Sequence, residues 1–89
     1  MPTSRLQIVN IKGLHARASA RLAEVCERFD ARATISRDGL STAGDSIMGL
    51  LMLAASKGTF IEVSTTGAQA DQLAQAIAAL VADKFGEGD

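Results

Sequence analysis

Residues 33–42 read ATISRDGLST, and this stretch does most to decide the fold. Two β-prone runs, 33–36 and 40–42, flank Arg37-Asp38-Gly39. An Asp-Gly pair between such runs indicates a hairpin with a type I′ turn, because that turn needs positive φ at both central residues. The stretch therefore predicts two neighbouring antiparallel strands in the middle of the chain.

The segments on either side of the hairpin carry strand and helix patterns in turn. Residues 6–11 (LQIVNI) and 59–65 (TFIEVST) are short and β-branched with one apolar face, which predicts a strand in each. Apolar residues at helical spacing predict helices over 16–29, over 47–55 and from a start at Thr66 to about residue 85. The order β-α-β-β-α-β-α predicts an α+β fold in two layers.

The helix ends have their own signals in the sequence. Asp45 or Ser46 is suited to be the N-cap of the second helix, and Lys57-Gly58 to follow its end. Thr66 and Gln69 have the spacing of a capping box, which predicts the start of the third helix. Residues 86–89 are expected to be a frayed tail, and residues 1–89 to form a single domain.

Composition excludes several functional classes. The chain has 89 residues with a net charge of −1, no Trp or Tyr and three Phe, which argues against a nucleic-acid-binding module. No apolar run reaches the length of about 18 residues that a membrane span needs, and no signal peptide is indicated, so we expect a cytoplasmic protein without membrane insertion. Cys26 is the single cysteine, so neither an internal disulfide nor a cysteine-based metal site is expected.

The candidate functional site is the segment Gly13-Leu14-His15-Ala16-Arg17, which holds the only histidine. His15 lies where a strand gives way to a helix, and the first amides of a helix lack intrahelical partners and bind anions. A phosphoryl group on the imidazole would contact the backbone amides of Ala16 and Arg17. The Arg17 guanidinium can hold two phosphate oxygens at once. The segment is therefore a candidate phosphate-carrying site, and the simpler interpretation, that His15 is only a tolerated polar residue near a helix start, stays open at this point.

A second candidate site begins at Ser46. The helix that follows is too short and too apolar to bury all its side chains, so Ile47, Met48 and Leu51 are expected to form an exposed docking patch. Phosphate on Ser46 would place about two negative charges beside that patch. The simpler interpretation, that Ser46 only caps the helix, remains open.

The chain resembles the HPr-type phosphocarriers of the bacterial phosphoenolpyruvate-dependent phosphotransferase system. The resemblance rests on Gly13-Leu14-His15-Ala16-Arg17, on Ser46-Ile47-Met48-Gly49, and on the length and element order. It implies an open-faced β-sandwich, in which a four-stranded antiparallel sheet is covered on one face by three helices. It also implies a carrier that is not itself an enzyme, most simply a monomer, with no cofactor and no metal of its own.

The resemblance further implies a role for each site residue. His15 would take phosphate on Nδ1 from Enzyme I and pass it to an EIIA-type protein, with Arg17 beside the phosphate. Ser46 would be modified by an HPr kinase/phosphorylase. The chain departs from the family at Ala18, where proline is usual, and at Asp45, where lysine is common.

Three alternatives stay open at the level of sequence. Both the sugar-uptake branch and the nitrogen-related regulatory branch of the system fit the chain, and no particular EIIA acceptor is indicated. A regulatory adaptor switched at Ser46, without a carrier role, is the main rival function. A small RNA-binding module is disfavoured by the acidic balance and the missing aromatic residues.

Overall fold

A computed structural model of the protein describes residues 3–86 and contains one antiparallel sheet. Its strands are β1 (Thr3–Gln7), β2 (Arg32–Arg37), β3 (Leu40–Ala43) and β4 (Phe60–Thr66). They lie in the order β1-β4-β2-β3, so the first and last strands of the chain are neighbours. The β2–β3 hairpin is confirmed, because Asp38 and Gly39 have φ values of 50° and 83°.

Three helices cover one face of this sheet. They are α1 (Ala16–Glu27), α2 (Ile47–Met52) and α3 (Ala70–Ala82). Alternate residues of β2 and β4 are buried beneath them, as expected for a sheet with one covered face. The fully buried core combines both layers: Ile8, Leu22, Ile35, Leu50, Ile61, Leu73, Ile77 and Phe85. The predicted α+β open-faced sandwich is confirmed.

The predicted bounds of the first strand are wrong. The sequence pattern placed it at residues 6–11, whereas β1 spans Thr3–Gln7. The partner strand β4 decides the bounds, since Thr3 pairs with Ser64 and Gln7 with Phe60. Beyond the strand, Asn10 is fully buried while Ile11 is 64% exposed, which reverses the polarity expected of a continuing strand.

All three helices differ from their predicted bounds, and α3 spans Ala70–Ala82 rather than reaching from Thr66 to about Phe85. α1 ends at Glu27 rather than Phe29, with Arg28 as its C-cap. α2 ends at Met52 rather than residue 55, because Ala54 takes a φ of 52° and turns the chain away. The turn brings Ala55 back into the core, where it is buried. A longer helix would carry this segment past the sheet.

The capping box predicted for the third helix is absent. Thr66 belongs to β4, and Gln69, the N-cap of α3, makes no side-chain cap bond. Instead the Gln69 Oε1 atom accepts a hydrogen bond of 2.7 Å from the backbone N–H of Asp30. The side chain thus connects the start of α3 to the end of α1, a contact that local spacing does not reveal.

The described chain ends in an unusual turn. Lys84, Phe85 and Gly86 all have positive φ, between 55° and 75°. Phe85 is fully buried, and its carbonyl oxygen accepts a hydrogen bond of 2.6 Å from Arg21 Nη1 on α1. The frayed tail predicted for 86–89 lies, beyond Gly86, outside the described residues. No helix within residues 3–86 has the length and apolar character that crossing a bilayer requires.

Candidate functional site

The loop before His15 is a tight turn closed by two hydrogen bonds. Gly13 N–H donates to the Asn10 carbonyl oxygen at 3.2 Å, and the Asn10 Nδ2 amide donates to the Gly13 carbonyl oxygen at 2.8 Å. Both residues are buried. Gly13 has a φ of 64°, which an L side chain rarely adopts. The backbone that leads to His15 is therefore fixed by its own local bonds.

The same loop is attached to the segment that follows α2. Leu14 N–H donates to the Ala55 carbonyl oxygen at 2.8 Å, and the Leu14 side chain is buried. A Cβ atom on Gly13 would collide with that oxygen and would lie 2.9 Å from Ser56 Cα. Two further bonds, from Gly58 N–H to the Ile8 carbonyl and from Ile8 N–H to the Thr59 carbonyl, extend the attachment.

His15 is the N-cap residue of α1. Its backbone is extended (φ −76°, ψ −176°), and its Nδ1 atom accepts a long hydrogen bond of 3.3 Å from Arg17 N–H. An accepting Nδ1 carries a lone pair, so the ring proton of the neutral imidazole lies on Nε2. The ring is half-buried, which leaves one side accessible. Nδ1 is thus directed at the helix start, where it contacts the Arg17 amide.

The first turn of α1 supplies positive potential around this nitrogen. Ser19 N–H donates to the His15 carbonyl oxygen at 2.8 Å, so the regular helical ladder begins there. The N–H groups of Ala16 and Arg17 precede that ladder and stand at the positive end of the helix dipole. Arg17 belongs to this first turn and its side chain is exposed. The structure thus brings the Arg17 N–H to His15 Nδ1, in the helical turn that also contains Ala16.

Ser46 is the N-cap residue of α2. Its Oγ atom accepts a hydrogen bond of 3.1 Å from Gly49 N–H, while Asp45 is exposed and does not cap the helix. A Cβ atom on Gly49 would collide with Thr42 Oγ1 on β3. The glycine therefore permits the start of α2 to lie directly against the strand.

An exposed apolar surface follows Ser46. Ile47 and Met48 are exposed, and 71% of the Met48 surface is accessible. Leu51 is half-buried and therefore less exposed than these two residues. Met52, which the sequence analysis left out, is 75% exposed. It lies four residues after Met48 in the same helix, and that spacing is the signal that could have found it. We call Ile47, Met48, Leu51 and Met52 the α2 patch.

Cys26 is confirmed as a core residue. It is buried on α1, and burial, reinforced by the carboxylates of Asp45 and Glu27, raises the pKa of its thiol to about 11. Such a thiol stays protonated and unreactive near neutral pH. Within the part of the chain that the structure describes, no group of three or more histidine, cysteine or acidic side chains forms a potential metal site.

Comparison with known proteins agrees with this geometry. Residues 2–83 match the family model described as the PTS HPr component phosphorylation site. The chain is 40% identical over 84 residues to the phosphocarrier protein HPr of Neisseria meningitidis serogroup A, which covers 94% of both chains. It is 41% identical over 83 residues to the phosphocarrier protein NPr of Shewanella violacea, covering 93% of this chain and 91% of that one.

Solved structures show the same fold. HPr-C-His from Thermoanaerobacter tengcongensis superposes with a TM-score of 0.93 at 30% identity, covering 98% of each chain. An HPr dimer from the same organism superposes with a TM-score of 0.77 at 30% identity, covering 98% of this chain and all of that one. With a family match over nearly its whole length and relatives near 40% identity, this chain belongs to the HPr family of phosphocarriers of the phosphotransferase system.

Proposed function

We propose that His15 accepts a phosphoryl group from phospho-Enzyme I, which phosphoenolpyruvate has charged, and passes it to an EIIA-type protein. One observation carries the proposal: the Nδ1 atom of His15, the N-cap of α1, accepts a hydrogen bond of 3.3 Å from the Arg17 N–H. A nitrogen with a lone pair stands where an anion is best stabilised. The family match agrees with a phosphorylation site in this chain.

The transfer step uses the Nδ1 lone pair. Nδ1 attacks phosphorus, the bond from phosphorus to the donor breaks, and its electron pair stays on the donor. Nε2 keeps its proton, so the ring gains a positive charge that the phosphoryl oxygens balance. A nucleophile of the acceptor protein later attacks phosphorus and returns the electron pair to Nδ1. The exchange needs no redox change, no cofactor and no metal held by this chain.

Arg17 and the first amides of α1 stabilise the phosphorylated state. A phosphoryl oxygen replaces Nδ1 as the acceptor of the Arg17 N–H, whose present bond of 3.3 Å is long and easily exchanged. The Ala16 N–H donates to the same group. Because Arg17 is exposed, its guanidinium can turn toward the phosphate without leaving a buried partner unpaired.

Partner proteins bind, in this proposal, through the exposed side of α1 and the α2 patch. The two helices pack against each other, and the His15 loop is bonded to Ala55, just after α2. The patch offers flexible methionine side chains, which adapt to more than one partner.

We further propose that the protein acts in the cytoplasm and that it is a monomer. One of the solved structures similar to it is an HPr dimer. Sedimentation equilibrium tests the monomer.

Regulation at Ser46 is a second part of the proposal. Ser46 Oγ is half-buried and bonded to Gly49 N–H, and phosphate oxygens at the same place would keep that bond. The added charge would stand beside the α2 patch and weaken docking without unfolding α2. Asp45 adds a negative charge next to the serine. An HPr kinase/phosphorylase that modifies this chain must therefore accept an acidic neighbour.

Transfer of radioactive phosphate from phosphoenolpyruvate through Enzyme I tests the carrier role. Wild type should gain an acid-labile, base-stable label, and His15→Ala should gain none. Failure to label the wild type would refute the carrier and favour the adaptor switched at Ser46. Transfer from labelled protein to a panel of EIIA proteins identifies the acceptor and decides between the two branches. Incubation with HPr kinase and ATP tests Ser46, with Ser46→Ala as control.

A further inference from the structure

The backbone amide of Ala18 lies outside the hydrogen-bond ladder of α1. Its regular helical acceptor would be the Leu14 carbonyl oxygen, which instead accepts the Ser19 hydroxyl at 3.2 Å. Ser19 N–H, one residue later, is the first to join the ladder, at 2.8 Å from the His15 carbonyl. Among residues 3–86, no acceptor is bonded to the Ala18 N–H.

This amide is also held in a fixed orientation. The Ala18 side chain is fully buried in the core, so the third residue of the helix cannot turn about its axis. Ser19 is fully buried as well, and its hydroxyl bond to Leu14 spans the same turn. The N–H of a third helical residue points along the axis, toward the end of the helix where His15 Nδ1 lies.

We propose that the Ala18 N–H is a third backbone donor to the phosphoryl group on His15, beside those of Ala16 and Arg17. The inference rests on the proposed carrier function and adds a ligand to the same site. The donor is a backbone N–H, so any residue except proline at position 18 can supply it. A charge-assisted hydrogen bond of this kind shifts the phosphorylation equilibrium about tenfold toward phosphohistidine.

Ala18→Pro removes the donor and is compatible with the first turn of a helix. A second variant, Ala18→lactate, replaces the amide by an ester and keeps the methyl group. It can be assembled by chemical ligation at Cys26, the single cysteine. Ala20→lactate is the matched control, because it removes an N–H from inside the α1 ladder and leaves the helix start intact.

Two measurements decide the proposal. The first is the equilibrium of phosphoryl exchange with Enzyme I, which should shift about tenfold toward unphosphorylated protein in Ala18→Pro and Ala18→lactate. Ala20→lactate should leave it unchanged. The second is the amide proton resonance of Ala18 in the wild type, which should move strongly downfield on phosphorylation. A purely structural role for Ala18 would leave only the smaller shift that a nearby negative charge causes through space.

The outcomes separate this inference from the carrier function. If the wild type is labelled on His15 but both Ala18 variants match it and the resonance stays in place, the third donor is refuted and the carrier stands. If the wild type is not labelled at all, both are refuted. Should Ala18→Pro lose its circular dichroism signal, the ester variant alone decides.

Discussion

The variant Gly13→Ala tests whether the His15 loop depends on a close approach between two backbone segments. Gly13 has a φ of 64°, and an added Cβ atom collides with the Ala55 carbonyl oxygen and lies 2.9 Å from Ser56 Cα. Both neighbours are backbone atoms, so no side-chain rotation relieves the overlap. The loop must move away from residues 55–56 to admit the methyl group.

Two costs combine in this variant. Alanine held at positive φ costs about 1–2 kcal/mol. Movement of the loop also breaks the bond of 2.8 Å from Leu14 N–H to the Ala55 carbonyl oxygen. Losing a buried backbone bond costs about 1–3 kcal/mol more. We therefore expect the free energy of unfolding to fall by about 3 kcal/mol, with slower phosphorylation of His15 because the ring is displaced.

Gly39→Ala and Gly58→Ala are matched controls for backbone strain alone. Their φ values are 83° and 89°, and an added Cβ atom on either glycine meets nothing within 4 Å. Each should lose only about 1–2 kcal/mol. Urea unfolding followed by circular dichroism measures all three variants. A Gly13→Ala protein as stable as the two controls would refute the close approach.

Three further predictions concern the ends of α2 and the buried thiol. Ala54 has a φ of 52°, which strains an alanine but not a glycine. Ala54→Gly should therefore raise the free energy of unfolding, measured by urea titration, by about 1 kcal/mol. A fall in this free energy would contradict backbone strain at Ala54. Ser46→Ala removes the acceptor of Gly49 N–H and should cost about 1 kcal/mol in the same assay, whereas the exposed Ser41→Ala should be neutral. Burial raises the pKa of the Cys26 thiol from 9.0 to about 11 in the folded protein. The resulting stabilisation is complete below pH 9 and is lost as the pH rises through 11, so unfolding titrations across that range should show a decline that Cys26→Ala lacks.

The elements that the sequence predicted well are those with local causes. The β2–β3 hairpin follows from the Asp-Gly pair alone, and both residues take the positive φ that the turn needs. The starts of α1 and α2 follow from polar residues that precede apolar periodicity, and His15 and Ser46 are indeed their N-caps. For this reason the sequence alone predicts that the His15 imidazole lies at the start of α1.

What the sequence could not predict depends on distant partners. Gln69 has the spacing of a capping box, yet its side chain bonds to Asp30, 39 residues away in the chain. β1 is shifted because β4 decides which residues pair. Between Leu14 and Ala55, which are bonded, the chain forms α1, the β2–β3 hairpin and α2. No local pattern encodes any of these contacts, since each is made only when the sheet assembles.

The attachment of the His15 loop to the segment after α2 has a consequence for how the protein opens. The Leu14 and Gly58 amides donate across the same seam, to the carbonyls of Ala55 and Ile8. Because both amides are hydrogen-bonded across this seam, we expect them to exchange with deuterium through one shared opening event. A substitution in residues 55–59 that weakens these bonds should then shorten the lifetime of the His15 loop without touching it. The exchange rate of the Leu14 amide thus measures how often the His15 loop separates from residues 55–59 and the histidine loses its orientation.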